Sequence, residues 1–173
     1  MTFEIVNPAA LGTPRGWNNG MLAPEGGRVL FVAGQIGVAG AGAGGGREGA
    51  DEEGAGLEGA DQEGADREGT EPRDRGAAGS DLPRQFGAAL GNVMRVVEAA
   101  GGRVADVGRL TIYVTDMDEY RESLREVGAE YRAVFGKHFP AMALVAVTEL
   151  VDPHAVVEVE ATAVIPARRE GAT

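Results

Sequence analysis

The chain has 173 residues, a formal net charge of −11 and 28 glycines, and it contains no cysteine. The lack of cysteine excludes disulfides, thiolate catalysis and cysteine-ligated metals. An isoelectric point near 4.6 argues against a general nucleic-acid binder, because binding to phosphates needs a basic surface. No apolar run is long enough to span a bilayer, and the amino terminus lacks the pattern of a signal peptide, so we expect a cytoplasmic protein without a membrane partner.

Glycine and negative charge are concentrated between residues 41 and 79. This segment holds 11 acidic residues, four arginines and 12 glycines, and from Glu48 it repeats a pentapeptide beginning Glu-Gly. Such a composition buries too little apolar surface to offset the entropy of ordering the backbone. We therefore predict a single domain over 1–173, with a disordered acidic insertion at 41–79 and a polar tail at 166–173. The alternative, a weak calcium-binding tract, lacks the spacing of an EF-hand.

Short apolar runs before the insertion predict strands at 3–6 and 28–33, and a weaker pattern predicts another at 17–22. After the insertion, Ser80 or Asp81 is positioned to cap a helix with Pro83 in its first turn. An apolar stripe then runs along that helix until two glycines stop it; its members are Phe86, Leu90, Val93 and Val97.

The second half of the chain continues the alternation of strand and helix. Residues 107–115 are rich in β-branched side chains and predict a strand. One continuous helix is predicted from about Asp118 to Gly136, with a stripe formed by Tyr120, Leu124, Val127, Tyr131 and Phe135. Strands are predicted at 143–148 and 155–165. This order indicates an α+β two-layer sandwich, in which a mixed sheet carries two helices on one face.

The last predicted strand places Glu158 and Glu160 on one face and valines on the other, because side chains alternate along a strand. If the valines pack under the helices, the glutamates lie on the uncovered face. In a monomer they are simply solvated. In an oligomer that closes sheet against sheet, one of them lies in a cleft between subunits and can position or activate water.

Taken together, five stretches resemble the Rid family, the reactive-intermediate deaminases. The stretches are residues 30–36, 85–101, 111–116, 139–141 and 157–161. The resemblance implies a chorismate-mutase-like fold and a homotrimer with a barrel-like core of sheets. It further implies clefts between subunits that hydrolyse enamines and imines to 2-keto acids and ammonia, with no metal or bound cofactor. Glu158 takes the position of the residue that handles water, and Gly34 and Gln35 line the cleft.

Four positions depart from the best-known branch of that family. Met142 stands where the branch has an arginine that pairs with the substrate carboxylate, and a thioether cannot form that pair. Ala33 replaces a serine, Trp17 a tyrosine, and Leu144 a small or thiol residue. A cleft lined by these side chains predicts an uncharged, more hydrophobic substrate, as in branches that lack the arginine.

The resulting hypothesis is hydrolysis of a small imine or enamine without a free carboxylate, with Glu158 orienting water and Trp17 stacking on the ligand. The alternative is a non-catalytic trimer that binds a small molecule or a regulatory partner. RNA cleavage ranks below both because of the negative charge. His138 is a further candidate for proton transfer, and its alternative is a partly exposed loop residue. The two histidines have no zinc-binding spacing, so no metal site is expected.

Overall fold

The computed structural model describes residues 2–38 and 81–167. The strands are β1 (Glu4–Val6), β2 (Gly20–Leu22), β3 (Arg28–Ile36), β4 (Val107–Val114), β5 (Ala141–Ala146) and β6 (Val157–Ile165); the helices are α1 (Leu82–Ala99), α2 (Met117–Glu122) and α3 (Leu124–Phe135). The predicted insertion at 41–79 lies outside the described residues, as do Ser80 and residues 168–173 of the predicted tail, so those assignments stay predictions.

The main sheet of the described chain has four strands in the order β3-β6-β4-β5. Strand β6 pairs antiparallel with both β3 and β4, whereas β4 and β5 are parallel. A separate antiparallel pair is formed by β1 and β2. The mixed sheet and the flanking helices confirm the predicted α+β class.

The hydrophobic core lies between the helices and one face of this sheet. The α1 stripe, Phe86, Leu90, Val93 and Val97, is buried as predicted, and it packs in one cluster with apolar side chains of β4 and β6. On β6, Val157 and Val159 are fully buried, whereas Glu158 and Glu160 are half-buried on the other face. The predicted alternation of the last strand is therefore confirmed. We call the second face, which the helices leave uncovered, the open face.

Helix α1 begins after Asp81 without the predicted side-chain cap. The Asp81 carboxylate instead accepts hydrogen bonds from Arg84 and Gln85. At the other end, Gly101 adopts a positive φ of 85° and Gly102 N–H donates to the carbonyl of Val97, which ends the helix as the two glycines predicted.

The prediction of one continuous second helix is wrong. Ser123 has φ −101° and ψ 14°, and its hydroxyl donates to the Glu119 carbonyl at 2.8 Å, so the segment divides into α2 and α3. Leu124, predicted to be in the core, is 53% exposed at the first position of α3, whereas Val127, Tyr131 and Phe135 are buried.

Several strand boundaries differ from the predicted ones, and strand pairing explains two of the differences. Strand β3 continues to Ile36 through a bulge between Val32 and Gln35. Strand β5 begins at Ala141, two residues before the predicted start, because it pairs with β4 from Arg109 onward. In the predicted strand at 17–22, only 20–22 form β2.

Gln85 ties α1 to the loop that leads into β6. Its side-chain amide donates to the His154 carbonyl and its side-chain oxygen accepts from Val156 N–H, both at 3.0 Å, and the residue is buried. Val156 directly precedes β6, so this contact helps to hold the strand that carries Glu158.

Replacing Gln85 by Leu should lower the free energy of unfolding by about 2–4 kcal/mol, because it leaves buried backbone groups unpaired. Chemical denaturation measures the change. Glu98→Gln, on an exposed position of the same helix, is the matched control and should change stability by less than about 0.5 kcal/mol. Equal stability of the Leu variant and the control would contradict this role.

Candidate functional site

Trp17 and Met142 are brought together by Asn18. The Asn18 amide donates to the Phe139 carbonyl at 2.6 Å, and its backbone N–H donates to the carbonyl of Pro140. Asn18 also forms an isolated parallel bridge with Ala141, the first residue of β5. These bonds fasten the segment before β2 to the start of β5, so Trp17 lies beside Met142.

The junction forms an open pocket of about 230 Å³. Its lining residues come from the segment before β2, from β4 and from the start of β5: Trp17, Asn18, Asn19, Arg109, Ala141, Met142 and Ala143. Trp17 is 47% exposed, which leaves much of the indole available to a ligand. The pocket is therefore small and open, and the Trp17 ring forms one of its walls.

The loop before β5 is held by His138. A ring nitrogen, Nε2, lies 2.7 Å from the Val107 carbonyl, and the His138 carbonyl accepts a hydrogen bond from the Tyr131 hydroxyl at 2.7 Å. The Tyr131 ring stacks on Phe139 with 5.7 Å between centroids. Burial raises the pKa of Tyr131, so its hydroxyl keeps its proton and remains a donor. The structure thus gives His138 a supporting position in the loop, outside the lining of the pocket.

The predicted site residues fall into two groups. Trp17 and Met142 line the pocket, and Met142 and Leu144 also pack against the hydrophobic core from the edge strand. Ala33, Gly34 and Gln35 lie at the bulge of β3, next to Glu158. The Gln35 amide donates to the carbonyls of Ala33 and Gly34, so it braces the bulge.

Gly34 and Glu158 are in close contact. A Cβ atom at Gly34 would overlap the Glu158 carboxylate, so the absence of a side chain at residue 34 makes room for that group. In the sheet, Glu158 is the register partner of Ile36 on one side and of Tyr113 on the other. The bulge and the pairing together hold the carboxylate on the open face.

A row of polar side chains along β4 adjoins Glu158 on that face. Partial desolvation and the negative charges of Glu160 and Glu158 raise the pKa of Tyr113, whereas the positive charge of Arg109 acts in the opposite direction. Thr111 lies between Arg109 and Tyr113 on β4 and is 6% exposed. Its hydroxyl has no hydrogen-bond partner in the described part of the chain. The open face is therefore polar around Glu158.

Arg109 and Tyr113 were missed by the sequence analysis. Alternation along the strand at 107–115 places Arg109, Thr111 and Tyr113 on one face. Their proximity to Met142 and Glu158 depends on which strands are neighbours, and Arg109 pairs with Ala141 while Tyr113 pairs with Glu158. Arg109 adds a charged side chain to the pocket that Trp17 and Met142 line.

The described ranges, 2–38 and 81–167, contain no cluster of three or more His, Cys, Asp or Glu side chains that could hold a metal ion. Within the same ranges, no helix is long and apolar enough to cross a membrane.

The fold is that of an α+β protein with a small pocket at the edge of a mixed sheet. The family model described as Endoribonuclease L-PSP matches residues 67–165, more than half of the chain. A 2-iminobutanoate/2-iminopropanoate deaminase of Salmonella typhimurium is 39% identical over 93 residues, which cover 51% of this chain and 68% of that protein. The chain belongs to the Rid family, as its residues suggested.

Solved structures share this fold. A protein of unknown function of the conserved Rid family from Yersinia pestis matches with a TM-score of 0.64 and 24% identity, over 95% of this chain and all of that one. A protein of unknown function from Pseudomonas aeruginosa matches with a TM-score of 0.51 and 28% identity, over 95% of this chain and 94% of that one.

Replacing Gly34 by Ala should displace the Glu158 carboxylate, because the new methyl group would occupy its place. The far end of the glutamate can move, so we expect a loss of only about 1 kcal/mol in unfolding free energy. Crystal structures of both proteins measure the displacement. Gly91→Ala, which meets no atom within 4 Å in α1, is the control and should gain about 0.5–1 kcal/mol. An unmoved Glu158 in the Gly34 variant would contradict the proposed contact.

Proposed function

We propose that the protein hydrolyses a small imine or enamine to a carbonyl compound and ammonia, with Glu158 orienting the attacking water. The observation that carries this proposal is the position of the Glu158 carboxylate against Gly34 on the open face. Support comes from the deaminase relative, whose name specifies imine substrates.

Hydrolysis of an imine needs few protein side chains. The water oxygen attacks the imine carbon while the C=N electron pair moves to nitrogen, which takes up a proton. The carbinolamine then expels ammonia as its hydroxyl becomes the carbonyl, so water and imine give carbonyl compound and ammonia. Glu158 accepts a hydrogen bond from the water and can take its proton. In this proposal Trp17 supplies an aromatic surface on which the ligand stacks.

We further propose that the open face is covered in a homotrimer and that the site is completed between subunits. Phe31 is 80% exposed and Val29 57% exposed on this face. Exposed apolar side chains on one sheet face are typical of a surface that associates. The buried, unpartnered Thr111 hydroxyl on the same face also favours a missing neighbour that would supply a hydrogen bond. Cytoplasmic location stays a prediction of the sequence.

A second candidate function is binding of a small molecule without catalysis. The Nε2 atom of His138 contacts the Val107 carbonyl. Among the described residues, no histidine lines the pocket. If Glu158 does not transfer protons, the pocket can still bind a small molecule without turning it over. RNA is disfavoured, because Glu158 and Glu160 on the open face repel phosphates.

Replacing Glu158 by Gln should lower kcat by at least about 100-fold, because the amide cannot accept the proton of water. Ammonia release is measured from a small imine that carries no carboxylate. Glu149→Gln, an exposed loop substitution, is the control and should leave kcat unchanged. Unchanged kcat in the Glu158 variant would rule out its role, and a wild-type protein that binds ligand without turnover would support the binding function.

The protein should sediment as a trimer of about 53 kDa, three times the 17.8 kDa chain. Phe31→Glu should shift it towards monomer, because the trimer would bury an unpaired charge. Val151→Glu, at an exposed loop position, should remain trimeric. A wild-type monomer, or a Phe31 variant that is still fully trimeric, would refute the proposed interface.

A further inference from the structure

Hydrolysis of an imine needs a proton donor for the nitrogen as well as an acceptor for the proton of water. An ionised Glu158 accepts a proton but has none to donate. A side chain that supplies the proton has to lie within reach of the same small substrate. The sheet places two residues directly opposite Glu158: Ile36 on β3, which is apolar, and Tyr113 on β4, which carries a hydroxyl.

Tyr113 is positioned to share a ligand with Glu158. Directly opposed residues of antiparallel strands have Cβ atoms about 4.5–5.5 Å apart on one face of the sheet. Tyr113 and Glu158 form such a pair, and both are half-buried on the open face. The Glu158 carboxylate lies against Gly34 on the β3 side, and the phenol lies on the β4 side. One small molecule on the open face can therefore contact both groups.

The surroundings of Tyr113 keep its hydroxyl protonated. Desolvation and the negative charges of Glu160 and Glu158 raise the pKa of the phenol, and the opposing charge of Arg109 does not reverse this shift. The phenol is therefore a hydrogen-bond donor at neutral pH. When Glu158 takes a proton from water, it loses a charge that opposes ionisation of Tyr113. The phenol thus gives up its proton more easily at the step in which the nitrogen needs one.

Three other polar side chains near the site are less suited to this role. The Nε2 atom of His138 contacts a backbone carbonyl in the loop before β5. The Gln35 amide donates to two carbonyls of the β3 bulge. The Thr111 hydroxyl is buried and a poor acid. Among these groups, the Tyr113 hydroxyl is the best placed proton donor for a molecule bound at Glu158.

We propose that Tyr113 is a catalytic residue whose hydroxyl donates the proton that the imine nitrogen takes up. This inference deepens the proposed imine hydrolysis and rests on it. In the first step, a water proton passes to Glu158 and the phenol proton passes to nitrogen, which gives the carbinolamine. In the second step, Glu158 gives its proton to the departing ammonia, and the carbinolamine hydroxyl gives its proton to the phenolate. Both side chains regain their starting states.

The test compares two substrates without a carboxylate that share a carbon skeleton: an imine, at a pH where it is neutral, and an N,N-dimethyl iminium ion. Attack of water on the iminium ion leaves a neutral amine without a proton from the protein. Tyr113→Phe should therefore lower kcat at least about 100-fold on the imine and less than about threefold on the iminium ion. Formation of the carbonyl product is measured and corrected for the uncatalysed rate.

The matched control is Tyr120→Phe, which removes a half-buried hydroxyl from α2 and should equal wild type on both substrates. Equal losses on the two substrates in Tyr113→Phe would overturn the inference, because they would assign the hydroxyl a structural role. Unchanged kcat on the imine would also overturn it. Glu158→Gln should lower kcat on both substrates, so failure of the Tyr113 test alone leaves the role of Glu158 standing.

Discussion

The pairing of β6 with both β3 and β4 is the constraint on which the rest of the molecule depends. It buries Val157 and Val159 beneath the helices and so directs Glu158 and Glu160 to the open face. A shift of one residue in this register would exchange the two sets, exposing the valines and burying the carboxylates. The same pairing sets Glu158 beside the β3 bulge, where Gly34 leaves room for it.

Features that depend on local periodicity could be predicted from the sequence. The alternation of β6 and the stripe of α1 are periodic patterns of apolar residues, and these patterns indicate which side chains are buried. The glycines that end α1 are a local signal of the same kind. The break at Ser123 could not be predicted in this way, since one hydroxyl bonded to the preceding turn outweighs an otherwise helical pattern.

The candidate site residues came from family resemblance rather than from periodicity. Glu158, Gly34 and Trp17 were assigned from resemblance, and the structure shows which of them are neighbours. Arg109 was not predicted as a pocket residue, because its approach to Met142 depends on the parallel pairing of β4 with β5. Sequence spacing does not reveal the order of strands in a sheet. An arginine 33 residues before Met142 thus lies in the same pocket.

The two ends of the site differ in what they contribute. At the pocket, Trp17 and Arg109 offer an aromatic surface and a fixed positive charge. At the bulge, Glu158 offers a carboxylate that can hold water. In the isolated chain both lie on a face that is open to solvent, where water weakens charge interactions. Covering that face with other subunits would exclude bulk water and strengthen both contacts.

We propose that this face becomes an active site only when it is covered by other copies of the chain. The most direct test measures ammonia release per chain across the protein concentrations at which sedimentation shows the oligomer dissociating. Activity per chain should fall in parallel with the fraction of trimer. Full activity per chain in the dissociated monomer would contradict the proposed need for neighbouring subunits.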